Sequence, residues 1–126
     1  MKILLVDDDT TFLRVMGDAL SARGHHMRVT GSGVEALGLI KQDCPDIVIT
    51  DLEMPEMDGI GLMIRVHELV PNLAVVILSA VGDATSSSRA FQHGAYGYLQ
   101  KPCRVEALIE GIQRFDDADK AHQKEA

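Results

Sequence analysis

Basic residues are in deficit. Lys and Arg number 12 against 19 Asp and Glu, and the formal charge is −7. A domain that grips nucleic acid needs a basic face, so direct nucleic-acid binding by this segment is not expected. Cysteine is scarce too: Cys44 and Cys103 are too few for a disulfide framework and suit a reducing compartment. Long hydrophobic runs are missing. The opening Ile3-Leu4-Leu5-Val6 meets three aspartates at once, far short of the ~20 apolar residues of a membrane span. No repeat, low-complexity tract or clear linker interrupts the chain. These absences together point to a cytoplasmic protein that has no membrane segment.

What is present suits one domain. The chain has 126 residues, 46% of them hydrophobic and 25% charged, enough to bury roughly 65% of the unfolded surface without staples. Five short apolar runs stand out: Ile3 to Val6, Met27 to Thr30, Ile47 to Thr50, Ala74 to Leu78 and Tyr96 to Leu99. Three are nearly continuous in Ile, Leu and Val, as strands buried on both faces of a parallel sheet are.

Helix-period segments lie between them. Their stripes are Phe12, Met16, Ala19 and Leu20; then Val34, Leu37 and Ile40; then Ile60, Met63, Ile64 and His67; and last Val105, Leu108, Ile109, Ile112 and Phe115. Ser32 and Glu35 have capping-box spacing, which predicts a helix start at Ser32. The fourth helix is expected to be marginal, because Asp83-Ala84-Thr85-Ser86-Ser87-Ser88 strings together poor helix formers. Strand and helix alternate five times, which predicts an α/β sheet with helices on both faces and functional loops at the carboxyl ends of the strands. The domain is expected to span residues 1–115. The polar tail 116–126 would be a helix extension or the start of a linker.

The candidate residues stand at those strand ends: Asp7 and Asp8 after the first, Asp51 after the third, Ser79 after the fourth, Lys101 after the fifth. Converging carboxylates repel by about 4 kcal/mol per close pair at a surface-like dielectric. A hard divalent cation with oxygen ligands relieves this, and Mg²⁺ is the natural choice. With the Lys101 ammonium, a hydroxyl at Ser79 and one carboxylate free to attack, the set describes a phosphoryl site that makes an aspartyl phosphate. Asp9 and Asp58 are expected to be turn or cap residues. The five histidines have no ligand-like spacing, and Gly94 and Gly97 are expected to serve turns.

Three stretches carry a resemblance: Ile3-Leu4-Leu5-Val6-Asp7-Asp8-Asp9, the run Asp46 to Gly59 (DIVITDLEMPEMDG), and Gly97-Tyr98-Leu99-Gln100-Lys101-Pro102. Together they resemble the receiver domains of bacterial two-component response regulators, from about Lys2 to Phe115. The resemblance implies a flavodoxin-like (βα)5 three-layer sandwich with a parallel sheet in strand order 2-1-3-4-5. It implies Asp51 as phosphoacceptor, Asp7 and Asp8 holding Mg²⁺ together with Asp51 and the backbone carbonyl of Glu53, and Lys101 pairing with phosphoryl oxygens. Ser79 would move onto the phosphate, with Tyr98 swinging inward after it, and a cis bond would precede Pro102. The partners implied are a histidine kinase or phosphotransfer protein and a downstream effector or output domain. The surface formed by the fourth helix, fifth strand and fifth helix would carry the output and a possible homodimer. Cys103 departs from the large apolar residue usual after the Lys-Pro pair, and Glu53 and Val81 are expected to tune the phosphate's lifetime.

Two alternatives compete. Asp7-Asp8-Asp9-Thr10-Thr11 fits the Asp-x-Asp-x-Thr pattern of haloacid dehalogenase-like phosphatases, with Asp7 as nucleophile and Asp9 as acid/base. That family also needs an acidic motif after a later strand, whereas Asp116, Asp117 and Asp119 follow a helical segment, and Asp51 is left without a role. The other alternative is a receiver-like interaction module that is never phosphorylated. Such modules typically lose one of the acidic pair, Asp51, Ser79 or Lys101, and all are present.

Overall fold

The computed structural model describes residues 1–80 and 84–125, with side chains through Ala118. Strands and helices alternate as β1 Lys2–Val6, α1 Thr10–Ser21, β2 His26–Thr30, α2 Gly33–Gln42, β3 Ile47–Asp51, α3 Gly59–Leu69, β4 Ala74–Ser79, α4 Ala84–Gln92, β5 Gly97–Gln100 and α5 Val105–Glu125. All neighbouring strands pair in parallel, in the order β2-β1-β3-β4-β5. The expected fold and strand order are therefore both present.

The two-residue period of a strand sorts the core into two halves. Leu4 and Val6 of β1, Val48 of β3, and Val75 and Ile77 of β4 face a cluster with Ala36, Leu37 and Ile40 of α2, Ile60, Leu62, Met63 and Val66 of α3, and Ala90 of α4. Ile3, Leu5, Ile47, Ile49 and Leu78 face the other way, against Leu13, Met16 and Leu20 of α1 and Leu108 and Ile112 of α5. β3 is buried along its whole length, which is why its sequence runs apolar without alternation.

Several helix faces differ from the sequence stripes. Val34 is 60% exposed and Ile64 39%. The buried face of α2 is built instead on Gly33, Ala36, Leu37 and Ile40, and that of α3 on Gly59, Ile60, Leu62, Met63 and Val66. Ile64 is one residue, about 100° of helix rotation, away from Met63 and so turns outward. In α1 the side chain that carries burial beside Met16 and Leu20 is Leu13. The fifth strand starts at Gly97, so Tyr96 lies before it, 53% exposed, with its ring edge-on to Phe115 at 5.1 Å. Gly94 serves a turn at φ +100, where a Cβ would also lie 3.2 Å from the His67 ring. Gly97 serves a strand, packed on Val76.

Caps follow their residue types. Ser32 accepts the Glu35 N–H at 3.3 Å, Asp9 accepts the Thr11 and Phe12 N–H groups at 3.0 and 3.1 Å, and Asp58 accepts the Gly61 N–H at 2.7 Å. α4 buries only Ala90 among the described residues, a methyl worth about 0.8 kcal/mol, where a fully buried Ile or Met is worth about 1.5–3 kcal/mol. Arg89 of α4 stands 4.0 Å from Asp58, both exposed, an ion pair worth under about 1 kcal/mol. The marginal fourth helix is thus a helix with thin anchorage; Asp83, expected near its start, lies outside the described residues. α5 passes Phe115 without a break and runs to Glu125.

Candidate functional site

Sheet register delivers each candidate residue to the same edge. Val6 pairs with Thr30, Asp51 with Leu78 and Ser79 with Gln100. Backbone hydrogen bonds then carry the ladder past the strand ends: Asp7 N–H to Thr30 O at 3.0 Å, Leu52 N–H to Leu78 O at 2.7 Å and Lys101 N–H to Ser79 O at 2.7 Å. The backbone beside every candidate side chain is thereby fixed to a neighbouring strand. The peptide bond between Lys101 and Pro102 is cis, as the resemblance implied.

Asp7, Asp8 and Asp51 each present a carboxylate oxygen within 4.8 Å of the others. Asp7 is fully buried and Asp51 is 6% exposed, while Asp8 is open to solvent. The Lys101 ammonium reaches both buried acids, at 2.5 Å from Asp7 Oδ2 and 3.5 Å from Asp51 Oδ1. Among the described residues, this ammonium thus pairs with two of the three clustered carboxylates. Burial first, and then the Asp7 charge, hold the Asp51 carboxyl above the ordinary carboxylate range, against the opposing pull of Lys101 and the Glu53 N–H. Burial by itself would lower the Lys101 pKa, but the hydrogen bond and charge of Asp7, and after them Asp51, outweigh it and the pKa is raised. The acid cluster carries a surplus of negative charge and only oxygen donors, a set that fits a hard divalent cation such as Mg²⁺. No histidine belongs to it.

Ser79, also fully buried, closes the end of β4. Tyr98 is half-buried on β5, packed against the cluster under α3 and α4. Glu53 is exposed beside Asp51; Val81, expected to act with it, lies outside the described residues. Cys103 is half-buried against the α1 and α5 side of the core, and burial pushes its thiol pKa up. It borders a groove of about 350 Å³ with Asp9, Phe12, Met16, Ala80, Lys101 and Pro102.

Two contributors were not read from the sequence as parts of the site. Gly59 opens α3 with its N–H on the Leu52 carbonyl at 2.8 Å, and a Cβ there would stand 2.4 Å from the Asp51 carbonyl oxygen. Its local signals were its place after the Asp58 cap and at the end of the run Asp46 to Gly59. Phe12 was read as core, yet its ring centroid is 4.6 Å from the Lys101 ammonium. Nothing in the spacing of two residues so far apart announces that contact.

The phosphatase alternative gains no support here: Asp9, its acid/base, caps α1 through Oδ1. Its late acids Asp116 and Asp117 sit on a helix, not after a strand.

Comparison with known proteins agrees with the geometry. The family described as response regulator receiver domain matches residues 3–113. The transcriptional regulatory protein GlrR of Escherichia coli (strain K12) is 37% identical over 116 residues, covering 92% of this chain and 26% of that protein. The two-component response regulator ORR24 of Oryza sativa subsp. indica is 40% identical over 110 residues, 86% of this chain and 17% of the relative. The chain thus spans about a quarter of these curated relatives, or less. A crystal structure of a response regulator receiver domain protein from Clostridium thermocellum superposes with a TM-score of 0.88 at 31% identity, covering 95% of this chain and 97% of that one. With sequence profile, relatives and fold in accord, the chain belongs to the response regulator receiver domain family of two-component systems.

Proposed function

We propose that Asp51 accepts a phosphoryl group from the phosphohistidine of a histidine kinase or phosphotransfer protein. The observation that carries this reading is the pairing of Asp51 with Lys101 at 3.5 Å inside an acidic cluster on the sheet edge. An Asp51 carboxylate oxygen forms the new bond to phosphorus as the bond to the donor's imidazole nitrogen breaks, and the imidazole leaves as the neutral ring once protonated. The chain's contribution is position and charge. The strand-end hydrogen bonds hold Asp51, and the Lys101 ammonium offsets charge on the transferring oxygens. Asp7, Asp8, Asp51 and the Glu53 carbonyl would hold Mg²⁺, which when bound supplies further neutralisation of the phosphoryl oxygens. The chain in this reading catalyses only its own phosphorylation and dephosphorylation.

The phosphoryl group then draws the Ser79 hydroxyl, Tyr98 turns inward, and the surface of α4, β5 and α5 shifts between two packings. The thin anchorage of α4 supports this. So do the apolar groups on that side: Phe91 is 52% exposed, and a cavity of about 390 Å³ opens beside Tyr96, Leu99 and Ile112. A downstream effector, an output domain or a second copy would read that face. The reading places the protein in the cytoplasm, with no nucleic acid held by this domain and residues 1–115 as the receiver unit. No helix among the described residues is long and apolar enough to cross a membrane.

Intact-mass spectrometry after incubation with acetyl phosphate tests the acceptor. A Mg²⁺-dependent gain of one phosphoryl mass in the parent, lost in Asp51→Asn, is the expected result. A gain that survives in Asp51→Asn but disappears in Asp7→Asn would overturn it in favour of the phosphatase chemistry. No gain under any condition would leave an unphosphorylated interaction module.

A further inference from the structure

Among the described residues, the Lys101 ammonium meets two carboxylates and an aromatic ring. Asp7 and Asp51 supply charge on one side, and the third neighbour is the Phe12 ring, 4.6 Å from Nζ to centroid. That distance is inside the range in which an aromatic face attracts a cation. The Lys101 side chain is 20% exposed, so the ring stands where water would otherwise compete for the ammonium.

The ring is itself held in place. Phe12 occupies the first turn of α1, and its N–H donates to Asp9 Oδ1 at 3.1 Å. The Asp9 N–H in turn donates to Asp7 Oδ1 at 2.9 Å, and Asp7 Oδ2 takes the Lys101 ammonium. Four contacts thus close a circuit, Asp7 to Asp9 to Phe12 to Lys101 and back to Asp7. Its effect is to fix the ammonium relative to the same strand end that carries the acid pair. A lysine head on a flexible four-carbon stem has rotamer freedom to lose, and the circuit removes it before any phosphoryl group arrives.

We propose that Phe12 is a positioning residue for phosphoryl transfer, its ring holding the Lys101 ammonium between Asp7 and Asp51. The proposal rests on the reading of Asp51 as acceptor and assigns the aromatic ring a part in that reaction. A ring in this role acts through Lys101 alone. A ring that merely fills the α1 side of the core acts regardless of what stands at position 101.

The test is the rate of aspartyl phosphate formation from acetyl phosphate with Mg²⁺, followed by intact mass. Phe12→Leu keeps the apolar bulk and loses the ring, and should slow the parent by about three- to tenfold. Phe12→Tyr keeps the ring, its hydroxyl has the groove beside Cys103 to enter, and the rate should return to within about twofold of the parent. In a Lys101→Ala background the same Phe12→Leu change should alter the rate by less than about twofold, since coupled residues are non-additive. A second readout needs no phosphorylation. The Lys101 ε-methylene protons should be shifted upfield by the ring in the parent and Phe12→Tyr, and return to ordinary values in Phe12→Leu. Equal rates for parent and Phe12→Leu, an equal loss in both Lys101 backgrounds, or unshifted ε protons in the parent would each overturn the positioning role. A parent that gains no phosphoryl group at all overturns the acceptor reading instead, and the ε-proton shift then tells whether the ring still holds the lysine.

Discussion

Replacing Gly59 by alanine adds one methylene-sized group at the start of α3 and should injure both stability and phosphorylation. The added Cβ would lie 2.4 Å from the Asp51 carbonyl oxygen, 3.0 Å from Leu52 Cα and 3.1 Å from the Asp51 carbonyl carbon. Relief to an ordinary van der Waals distance needs a movement of about 1 Å. Every atom met is backbone, so no side chain can swing aside. The Gly59 N–H is bonded to the Leu52 carbonyl at 2.8 Å, and the Leu52 N–H to Leu78 at 2.7 Å. Moving α3 breaks the first bond, and moving the strand end breaks the second.

Overpacking of this kind costs about 1–3 kcal/mol, and a backbone clash belongs at the upper end. At this chain length each kcal/mol lowers Tm by roughly 3–5 °C, so a fall of about 10–15 °C is expected. Where the strain is relieved by moving Asp51, a displacement of about 1 Å can also slow phosphoryl transfer by about a hundredfold. Circular dichroism melting and intact-mass kinetics at 25 °C, where a domain of ordinary stability remains folded, read the two effects separately. Gly38→Ala is the control. Gly38 lies inside α2 with nothing within 4 Å of its would-be Cβ, and the same substitution there should stabilise by about 0.5–1 kcal/mol. A Gly59→Ala protein with Tm and phosphorylation rate both equal to the parent's would refute the close-approach argument.

Three further outcomes are expected. Adding Mg²⁺ should raise Tm, by about 2.7 kcal/mol of stability at one hundred times its Kd, because the ion relieves repulsion among Asp7, Asp8 and Asp51; Asp8→Asn should shrink the shift, and a Tm indifferent to Mg²⁺ in the parent would exclude the site. Backbone amides of α4 should exchange with deuterium well before those of α3, since α4 buries Ala90 where α3 buries Ile60, Leu62, Met63 and Val66; equal protection of the two helices would remove the basis for a loosely held α4. Glu53→Ala should change the half-life of the aspartyl phosphate, as Glu53 is exposed and its backbone N–H bonds the Asp51 carboxylate, and an unchanged half-life would show that it does not tune hydrolysis.

Much of the site could be read locally, because its members occupy a repeated kind of position. A polar residue at or just beyond the end of an apolar strand is visible without knowing the strand order, and Asp7, Asp8, Asp51, Ser79 and Lys101 all have that place. The caps at Asp9, Ser32 and Asp58 were likewise legible, since a cap bonds N–H groups two or three residues away. Helix faces were less so. Val34 and Ile64 fit a helical period as well as their buried neighbours do, and which side of such a helix turns inward depends on the sheet it meets. Tyr96 shows the same limit at a strand: its ring found Phe115, and β5 began one residue later.

What the amino-acid sequence determined by itself was the alternation of five strands and helices, the caps between them and the class of chemistry at the strand ends. Those depend on interactions over a few residues, where periodicity, propensity and side-chain type act directly. What only the tertiary structure decided was how the strand ends meet: which acids Lys101 pairs with, which ring covers it, and which backbone Gly59 must approach. Lys101 and Asp7 are 94 positions apart in the chain, and no local preference can select one partner over another at that distance. The sheet register makes the choice: a slip of one residue would turn every side chain of a strand to the opposite face, so packing fixes the register to the residue, and with it the place of every side chain at the strand ends.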